Sequence, residues 1–503
     1  MINKIRDDKR EMINETSHIT NTSKVIKGLS SQSIVTIVLG IVEIVSFSIM
    51  SRLLTQEDFG YYAAINAITL IFHSFSETGI GSAIIQQKNL TQNYINNAFT
   101  LSLLIGFIIS LMLLVLASPL ACSIADENMK IPLMLMSITL LLSCLTSVNN
   151  SLMQRKLQFM RMGIIKLISL VVTTIICIIL AYKGYGYYAI LVKVILASLI
   201  NFFLSLFLCN TRFGIALDKD TLKKILSFSG WLMASVLFRN LAHQIDNLMM
   251  PRLLSVSALG AYNRPKGFVD QISDKLNGIF DTALFPVLSG VQDNMLALNS
   301  AFRRSMSLMN TFSLLLTTSF IFNGGLLIRI FFGEQWLGLQ PVMIAVACTL
   351  LLNSDGRLAD CFLRSMAMTN QQFYFRIFET ITRFAGVLIG YKWGVLGVAI
   401  SVAITNAITK LVKIVYIGNK IEIKPQNVMS ILLCSWRYGA LLIPICTLAY
   451  ILLPKTWGGD IAMLAIYVLT VAFIFLFMPR FVGKQYREEV YMKLKFFVVK
   501  KTN

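Results

Sequence analysis

Long apolar segments recur along almost the whole chain, and this recurrence is the strongest constraint on what it can fold into. Of the 503 residues, 56% are hydrophobic and only 14% are charged, with a mean hydropathy of +0.69. Soluble domains carry about 25% charged residues. A chain with such an apolar surplus needs lipid around it, so we predict an all-α polytopic membrane protein.

A helix that crosses a bilayer needs roughly 20 mostly apolar residues, and about fourteen segments meet this requirement. The predicted spans are 30–50, 61–82, 98–116, 131–152, 162–182, 187–209, 231–250, 259–284, 306–328, 341–366, 373–391, 394–417, 430–453 and 459–478. The predicted parts are a cytoplasmic N-terminal segment (1–29), an N-lobe (30–209), a cytoplasmic linker (210–230), a C-lobe (231–417), a final helix pair (430–478) and a basic cytoplasmic tail (479–503).

The basic residues predict the topology. Lys and Arg number 45 against 25 Asp and Glu, a net charge of +20. In a membrane protein, basic residues collect in cytoplasmic loops, so nucleic acid is not the expected partner. With both termini inside, most basic residues fall on the cytoplasmic side, and Lys413, near the end of the twelfth span, is counted among them. Segment 259–284 holds six charged residues, but omitting it would turn every later basic loop outward. We therefore keep it as a span that is shielded from lipid.

An internal repeat supports this count. Arg52-Leu53-Leu54 with Gly60 and Tyr62 recurs, at an offset of 200 residues, as Arg252-Leu253-Leu254 with Gly260 and Tyr262. Six predicted helices separate the copies. Because six is even, the two halves have the same orientation, which predicts two pseudo-symmetric six-helix lobes.

Several predicted spans carry polar stripes. In FRNLAHQIDNLMM, the residues Arg239, His243 and Asp246 follow the spacing i, i+4, i+7, which places them on one face of a helix. A charge facing lipid at mid-membrane costs about 2.5–3.5 kcal/mol, so these side chains must face protein or water. Similar stripes lie in the tenth and eleventh spans. They comprise Asn353, Arg357, Asp360 and Arg364, and then Arg376, Glu379 and Arg383.

About half of these charges are expected to form static pairs between helices. The excess is basic in the second half of the chain, and arginine binds phosphate well because its guanidinium forks onto oxygens. A cationic cavity in a membrane indicates an anionic, amphipathic cargo. Glu43, in an otherwise apolar segment, is either a proton-exchanging group or a carboxylate that a neighbouring base satisfies.

Other chemistries are not indicated. The eight cysteines form no CxxC pair, the three histidines form no HExxH, and GxxxxGK[ST] is absent from the sequence. We therefore expect no metal site, no cofactor and no ATP hydrolysis. Residues 1–27 contain no apolar core before a cleavage site, so the first span is expected to act as a retained signal-anchor.

Five stretches of the sequence form an ordered set of motifs: SRLLTQEDFGYYA, SETGIGSAIIQQKNLT, QIDNLMMPRLLSVSALGAYNR, LFPVLSGVQD and GEQW. They resemble bacterial polysaccharide flippases, in particular the colanic-acid and teichuronic-acid exporters of the multidrug/oligosaccharidyl-lipid/polysaccharide superfamily. The resemblance implies fourteen helices in two lobes plus a final pair. It also implies alternating access that moves an undecaprenyl-diphosphate-linked oligosaccharide across the bacterial inner membrane, among membrane lipids and beside a polysaccharide polymerase and a chain-length regulator.

On this interpretation the first candidates for diphosphate contact are Arg239, Arg264 and Arg383. The next are His243, Lys275 and Arg357. Coupling to a sodium or proton gradient would involve Glu43, Glu77 or Asp246.

Two alternatives stay open. A multidrug cation antiporter of the same superfamily would favour an acidic cavity. A membrane polysaccharide polymerase or ligase would need reactive groups on a sizeable outer loop, whereas the predicted loops are short. We therefore expect a transporter and not an enzyme.

Overall fold

The computed structural model describes residues 35, 38–76, 80–87, 90–124, 126–209, 213–290, 295–366, 368–434, 436–454 and 456–477. Within these ranges every regular element is helical. The helices up to residue 253 are α1 (38–53), α2 (Gln56–Ser76), α3 (Ile80–Gln86), α4 (Gln92–Ile124), α5 (Lys130–Arg155), α6 (Phe159–Tyr182), α7 (Tyr187–Cys209) and α8 (Lys219–Leu253). The later helices are α9 (Val256–Gly290), α10 (Met295–Phe331), α11 (Gln340–Cys348), α12 (Leu350–Ser365), α13 (Thr369–Gly390), α14 (Gly394–Lys420), α15 (Pro425–Cys434), α16 (Trp436–Leu452) and α17 (Trp457–Phe477).

Nine helical segments of the described chain are long and apolar enough to cross a membrane. One of them, Asn370–Lys420, contains both α13 and α14, which the turn Tyr391–Trp393 joins. The polytopic all-α class is therefore confirmed. The nine do not include α8 and α9, whose polar and charged stretches lower their hydropathy.

The chain divides into two compact units, Met1–Gly260 and Ala261–Asn503. In the first unit, α5 packs against α2, α3, α4 and α7. Its long buried face holds Met136, Leu140, Val148 and Leu152, so α5 is the centre of this unit's core. The predicted lobe boundary at 210–230 differs from the division at Gly260, because α8 packs on α2, α3 and α4 and so belongs to the first unit.

The two glycines of the repeat meet in the first unit. A Cβ added to Gly60 would overlap the backbone carbonyl of Val256, and one added to Gly260 would overlap that of Gln56. Gln56 and Val256 are themselves 200 residues apart, so the contact is reciprocal, as in an isologous interface. Glycine is required because only a residue without a side chain lets two helix backbones approach so closely.

In the second unit, α12 packs between α10 and α14, and α13 lies along α14. Phe302 on α10 meets Phe362 on α12 edge to face, with ring centroids 5.2 Å apart. Ile414 and Ile417 of α14 complete this buried core. The predicted span 341–366 is in fact two helices, α11 and α12, which join at Thr349, where the backbone remains in the α region.

The reciprocal glycine contact gives a stability prediction. Gly260→Ala places a methyl group against the backbone of α2, which cannot yield as a flexible side chain can, so unfolding becomes easier by about 1–3 kcal/mol. The check is the thermal unfolding midpoint of the purified protein in detergent. Gly267→Ala on the same helix is the control, because a Cβ there has nothing within 4 Å. Equal midpoints for the two variants would contradict the close approach.

A second prediction concerns Asp126, which lies between two candidate spans. The hydroxyl of Tyr61 donates a 2.7 Å hydrogen bond to Asp126 Oδ2, and the N–H of Asn128 donates one of 3.1 Å to Oδ1. These bonds, the one from Tyr61 first, lower the pKa of Asp126 below its ordinary value. The stability that the bonds contribute is therefore present above the ordinary carboxyl pKa of about 4 and is lost as pH falls through the lowered pKa.

Tyr61→Phe should accordingly lower the unfolding midpoint at neutral pH, and the difference from wild type should shrink in acid. Midpoints measured across this pH range check the prediction. Tyr185→Phe, at an exposed tyrosine, should leave both the midpoint and its pH dependence unchanged. A difference for Tyr61→Phe that stays constant with pH would refute the role of the Asp126 charge.

Candidate functional site

Three helices of the second unit bring five ionisable side chains together in its interior. Asp360 comes from α12, Arg376 and Glu379 from α13, and Lys410 and Lys413 from α14. Each pair on one helix has the spacing i, i+3, which places both members on the same face. We call this group the charged cluster. The side chains of its members are between 2% and 12% exposed, so water hydrates these charges very little.

The charged cluster is a continuous chain of ion pairs. Asp360 accepts hydrogen bonds from Arg376 Nη2 at 2.7 Å and from Lys413 Nζ at 2.9 Å. Glu379 accepts from Arg376 Nη1 at 3.1 Å and from Lys410 Nζ at 2.7 Å. Arg376 therefore bridges the two carboxylates, which its planar, forked guanidinium suits better than an ammonium would. From one ion pair to the next, the order of the five side chains is Lys413, Asp360, Arg376, Glu379, Lys410.

The charged cluster has more bases than acids. Two carboxylates face three bases, which gives a net charge of +1 when all five groups are ionised. Each buried ion loses its hydration, at a penalty of several kcal/mol, and is stable only if the attraction to its partners offsets that loss. The arrangement therefore holds the three helices in one register and keeps a positive bias within the unit.

Two local features make room for the lysines. A Cβ at Gly356 of α12 would overlap the Lys410 side chain, so a glycine at this point lets the four-carbon stem pass. The ring of Phe375 lies 5.9 Å from Lys413 Nζ, within the range of a cation–π contact. A glycine in mid-helix lowers helix stability by about 1 kcal/mol relative to alanine. At Gly356 this loss of helix stability is the consequence of leaving space for the Lys410 side chain.

The burial of Lys413 is not what its place among the cytoplasmic basic residues predicts. Lys413 lies within α14, is 1% exposed and pairs with Asp360. Lys410, a second buried lysine of α14, is not among the residues that the polar stripes indicate. Hydropathy did not reveal them because both lie near the end of an apolar segment, where lysine commonly reaches the membrane surface. The sequence did contain one signal for their burial, which is the helical spacing of both lysines with Asn406 and Thr409. All four are buried polar residues of one helix.

The six predicted phosphate contacts occupy different environments. On α8 of the first unit, Arg239 is half-buried and His243 is exposed. In the second unit, Arg264 and Lys275 on α9 are half-buried, Arg357 on α12 is exposed, and Arg383 on α13 is buried one turn beyond Glu379.

Arg357 of α12 pairs with a residue of α9, the helix that also carries Lys275. Its guanidinium Nη2 forms an ion pair with Asp274 of α9. The side chains of Arg357 and Asp274 are 43% and 55% exposed, so water reaches this pair, in contrast to the charged cluster. Exposed ion pairs contribute about 0–1 kcal/mol. An anion of higher charge could therefore displace Asp274 from Arg357 at small cost.

The predicted ion-coupling residues also differ in how deeply they are buried. Glu43 is half-buried on α1, and Asp246 is fully buried on α8. Glu77 lies outside the described residues. The polar face of α8 is partly accounted for by contacts in the first unit, since Asn240 Nδ2 donates to Ser74 Oγ of α2 at 2.9 Å.

The charged cluster gives a stability prediction with a matched control. Asp360→Asn removes a carboxylate and leaves Lys413 buried beside a neutral amide, so it should destabilise the protein by about 3–5 kcal/mol. Asp274→Asn removes a carboxylate from the exposed pair and should change stability by about 0–1 kcal/mol. Thermal unfolding in detergent measures both. Adding Lys413→Met to Asp360→Asn should recover part of the loss; no recovery would mean that Lys413 is not held by Asp360.

Comparisons with known proteins agree with the resemblance of the motifs. The lipopolysaccharide biosynthesis protein WzxC of Escherichia coli (strain K12) is 22% identical over 441 residues, which cover 85% of this chain and 87% of that protein. The succinoglycan biosynthesis transport protein ExoT of Rhizobium meliloti (strain 1021) is 24% identical over 379 residues, which cover 73% and 74%.

Two solved structures show the fold. The lipid II flippase MurJ in an inward closed conformation superposes with a TM-score of 0.72 and 15% identity, covering 91% of this chain and 99% of that one. An inward-facing multidrug resistance MATE transporter superposes with a TM-score of 0.64 and 13% identity, covering 77% and 98%. The fold is therefore the one that MurJ and MATE transporters share.

The family comparison covers the region of the quoted motifs. Residues 49–341, more than half of the chain, match the family described as polysaccharide biosynthesis protein. This multi-pass membrane protein belongs to the polysaccharide biosynthesis protein family.

Proposed function

We propose that the protein is a flippase that moves an undecaprenyl-diphosphate-linked oligosaccharide across the bacterial inner membrane by alternating access. The observation that carries the proposal is the agreement of two independent likenesses over most of the chain. The relatives are named for polysaccharide biosynthesis and transport, and the fold is that of a lipid II flippase. Translocation makes and breaks no covalent bond in the cargo, so the protein acts as a transporter and not as an enzyme.

The proposed architecture has fourteen spanning helices, in two six-helix lobes plus a final pair, with both termini in the cytoplasm. The reciprocal contact of Gly60 and Gly260 supports it, because a 200-residue repeat with a twofold relation is what two parallel lobes would produce. The distribution of basic residues supports the orientation.

The proposed cargo has an anionic head, and the second unit carries a positive bias. The bases of the charged cluster are buried and held by carboxylates, so they are better suited to set the local potential than to bind the cargo. The exposed pair of Arg357 with Asp274 is better placed to exchange partners, because phosphate offers guanidinium more charge than one carboxylate does. We keep the proposed contacts as Arg239, His243, Arg264, Lys275, Arg357 and Arg383.

Energy for transport is proposed to come from a sodium or proton gradient, through Glu43, Glu77 or Asp246. Asp246 is fully buried on α8. This burial supports a role in coupling, because the surroundings of a buried carboxyl decide whether it is charged. A polysaccharide polymerase and a chain-length regulator are the proposed protein partners, since the cargo on the outer leaflet must be joined into chains.

The second candidate is a cation exporter, which the fold shared with MATE transporters would permit. A lipophilic cation would require an acidic binding region. The charged cluster instead has three bases and two acids, and this balance favours an anionic cargo.

The function predicts a specific transport defect. Arg239→Ala together with Arg264→Ala should reduce polysaccharide export by at least about tenfold, the equivalent of 1.4 kcal/mol of lost binding, while the amount of protein in the membrane stays the same. Export is measured as surface polysaccharide in cells whose only exporter of this kind is the variant.

Arg252→Ala is the matched control, because Arg252 is an exposed arginine at the end of α8 and is not among the proposed contacts. It should export normally. Unchanged export by the double variant at normal protein level would exclude Arg239 and Arg264 as cargo contacts. Transport of lipophilic cations that compete with export would favour the second candidate.

A further inference from the structure

A buried acid of the second unit lies outside the charged cluster and outside the proposed cargo contacts. Asp355 of α12 is 0% exposed. Asn310 Nδ2 of α10 donates a 2.9 Å hydrogen bond to Asp355 Oδ2. Among the described side chains, Asp355 Oδ1 has no hydrogen-bond partner, and neither does Asn310 Oδ1. The two side chains are thus joined by one bond, and each keeps one buried oxygen without a donor.

The two unmatched oxygens constrain the protonation state of Asp355. An ionised carboxylate only accepts hydrogen bonds, and so does an amide oxygen, so the two atoms cannot satisfy each other. A protonated carboxyl has one O–H donor. A proton on Asp355 Oδ1 can be donated to Asn310 Oδ1, and the two side chains then form a cyclic acid–amide pair with two hydrogen bonds. One proton therefore satisfies two buried polar atoms.

The surrounding charges do not offer another way to neutralise Asp355. The charged groups on its own helix and on α10, α13 and α14, which pack against it, are Arg357, Asp360 and Arg364 (α12), Arg303, Arg304 and Arg329 (α10), Arg376, Glu379 and Arg383 (α13), and Lys410, Lys413 and Lys420 (α14). Within the described part of the chain, no base lies within salt-bridge distance of Asp355. A buried carboxylate without a counter-charge is strongly disfavoured, and the usual outcome is that the group takes up a proton.

Asp355 is also adjacent to the charged cluster along α12. Its neighbour Gly356 is the residue that lets the stem of Lys410 pass, and Asp360 of the cluster lies five residues further on. Loss of the proton from Asp355 would bring a negative charge next to a group with a net charge of +1. A proton at this position therefore controls the net charge of the buried region of α12, which is the property that a coupling site requires.

We propose that Asp355 and Asn310 form a proton-binding site, in which Asp355 is held as the neutral acid and exchanges its proton during transport. This inference rests on the proposed function for its transport part, and it assigns the coupling ion as a proton. The residue is new relative to Glu43, Glu77 and Asp246. Ser313, one turn along α10 from Asn310, is also buried, and its Oγ has no partner among the described side chains.

Infrared spectroscopy of the purified protein tests the protonation state. At neutral pH the wild type should show the carbonyl band of a protonated carboxyl, and this band should shift in deuterium oxide. Asp355→Asn should remove it, and Glu422→Gln, at an exposed carboxylate, should not. If the Asp355→Asn difference spectrum shows only carboxylate bands, Asp355 is ionised and the proposal is wrong.

Thermal unfolding gives a second measure on the same samples. Asparagine mimics the neutral acid and can donate to Asn310 Oδ1, so Asp355→Asn should unfold at the wild-type midpoint at neutral pH. A midpoint well below that of wild type would mean that the ionised carboxylate stabilises the fold, which also overturns the proposal.

Transport into proteoliposomes tests the coupling. With an undecaprenyl-diphosphate-linked oligosaccharide, a pH gradient should raise the wild-type rate several-fold, and Asp355→Asn should lose this stimulation. Full stimulation of Asp355→Asn, or stimulation by a sodium gradient in place of a proton gradient, would exclude Asp355 as the proton-coupling site. If the wild type moves no cargo, the proposed function fails together with the transport part, and the infrared result still decides whether Asp355 is protonated.

Discussion

An ionised side chain in the interior of a membrane protein is stable only where the protein supplies its neutralising partner, and α12 is organised around that requirement. Successive residues of a helix point in different directions, about 100° apart. Asp355 therefore contacts α10, Arg357 contacts α9, and Asp360 contacts α13 and α14. Each ionisable group has a different solution: a proton and an amide partner for Asp355, an exposed carboxylate for Arg357, and a network of buried bases for Asp360.

These three solutions differ in what they allow the protein to do. The charged cluster is closed, because each of its carboxylates accepts bonds from two bases. It ties three helices together and provides a positive bias without being free to bind cargo. The pair of Arg357 with Asp274 is open to water and can change partners. The acid at Asp355 can change only its proton. A transporter of an anionic lipid-linked sugar needs all three properties: rigid packing, an exchangeable cation and a group that responds to an ion gradient.

The sequence predicted the class of the protein and the location of much of its polar interior. The apolar segments indicated a polytopic helical protein, and the offset between Gly60 and Gly260 identified two residues that meet in the structure. The stripe of Arg376 and Glu379 was recognised as one helix face, and both residues are in the charged cluster. The expectation that many charges form static pairs holds for Arg376 in full and for Arg357 in a more exposed form.

What the sequence did not predict depends on contacts between helices. Lys413 and Lys410 lie where hydropathy alone allows a lysine to reach either solvent or the interior, and only the carboxylates of α12 and α13 decide between these outcomes. The stripe of Arg357, Asp360 and Arg364 was assigned to one face, yet Asp360 is buried while both arginines are exposed. The pairing of Asp355 with Asn310 joins residues 45 positions apart, a distance at which no periodic pattern carries information.

A leaflet-specific assay with the purified protein, in proteoliposomes that contain an undecaprenyl-diphosphate-linked oligosaccharide, tests the proposed flippase activity directly. We expect movement of this lipid between leaflets that depends on the protein, saturates with the lipid's concentration and is not inhibited by lipophilic cations. A rate equal to that of protein-free liposomes, from protein that is folded by its thermal unfolding profile, would contradict it.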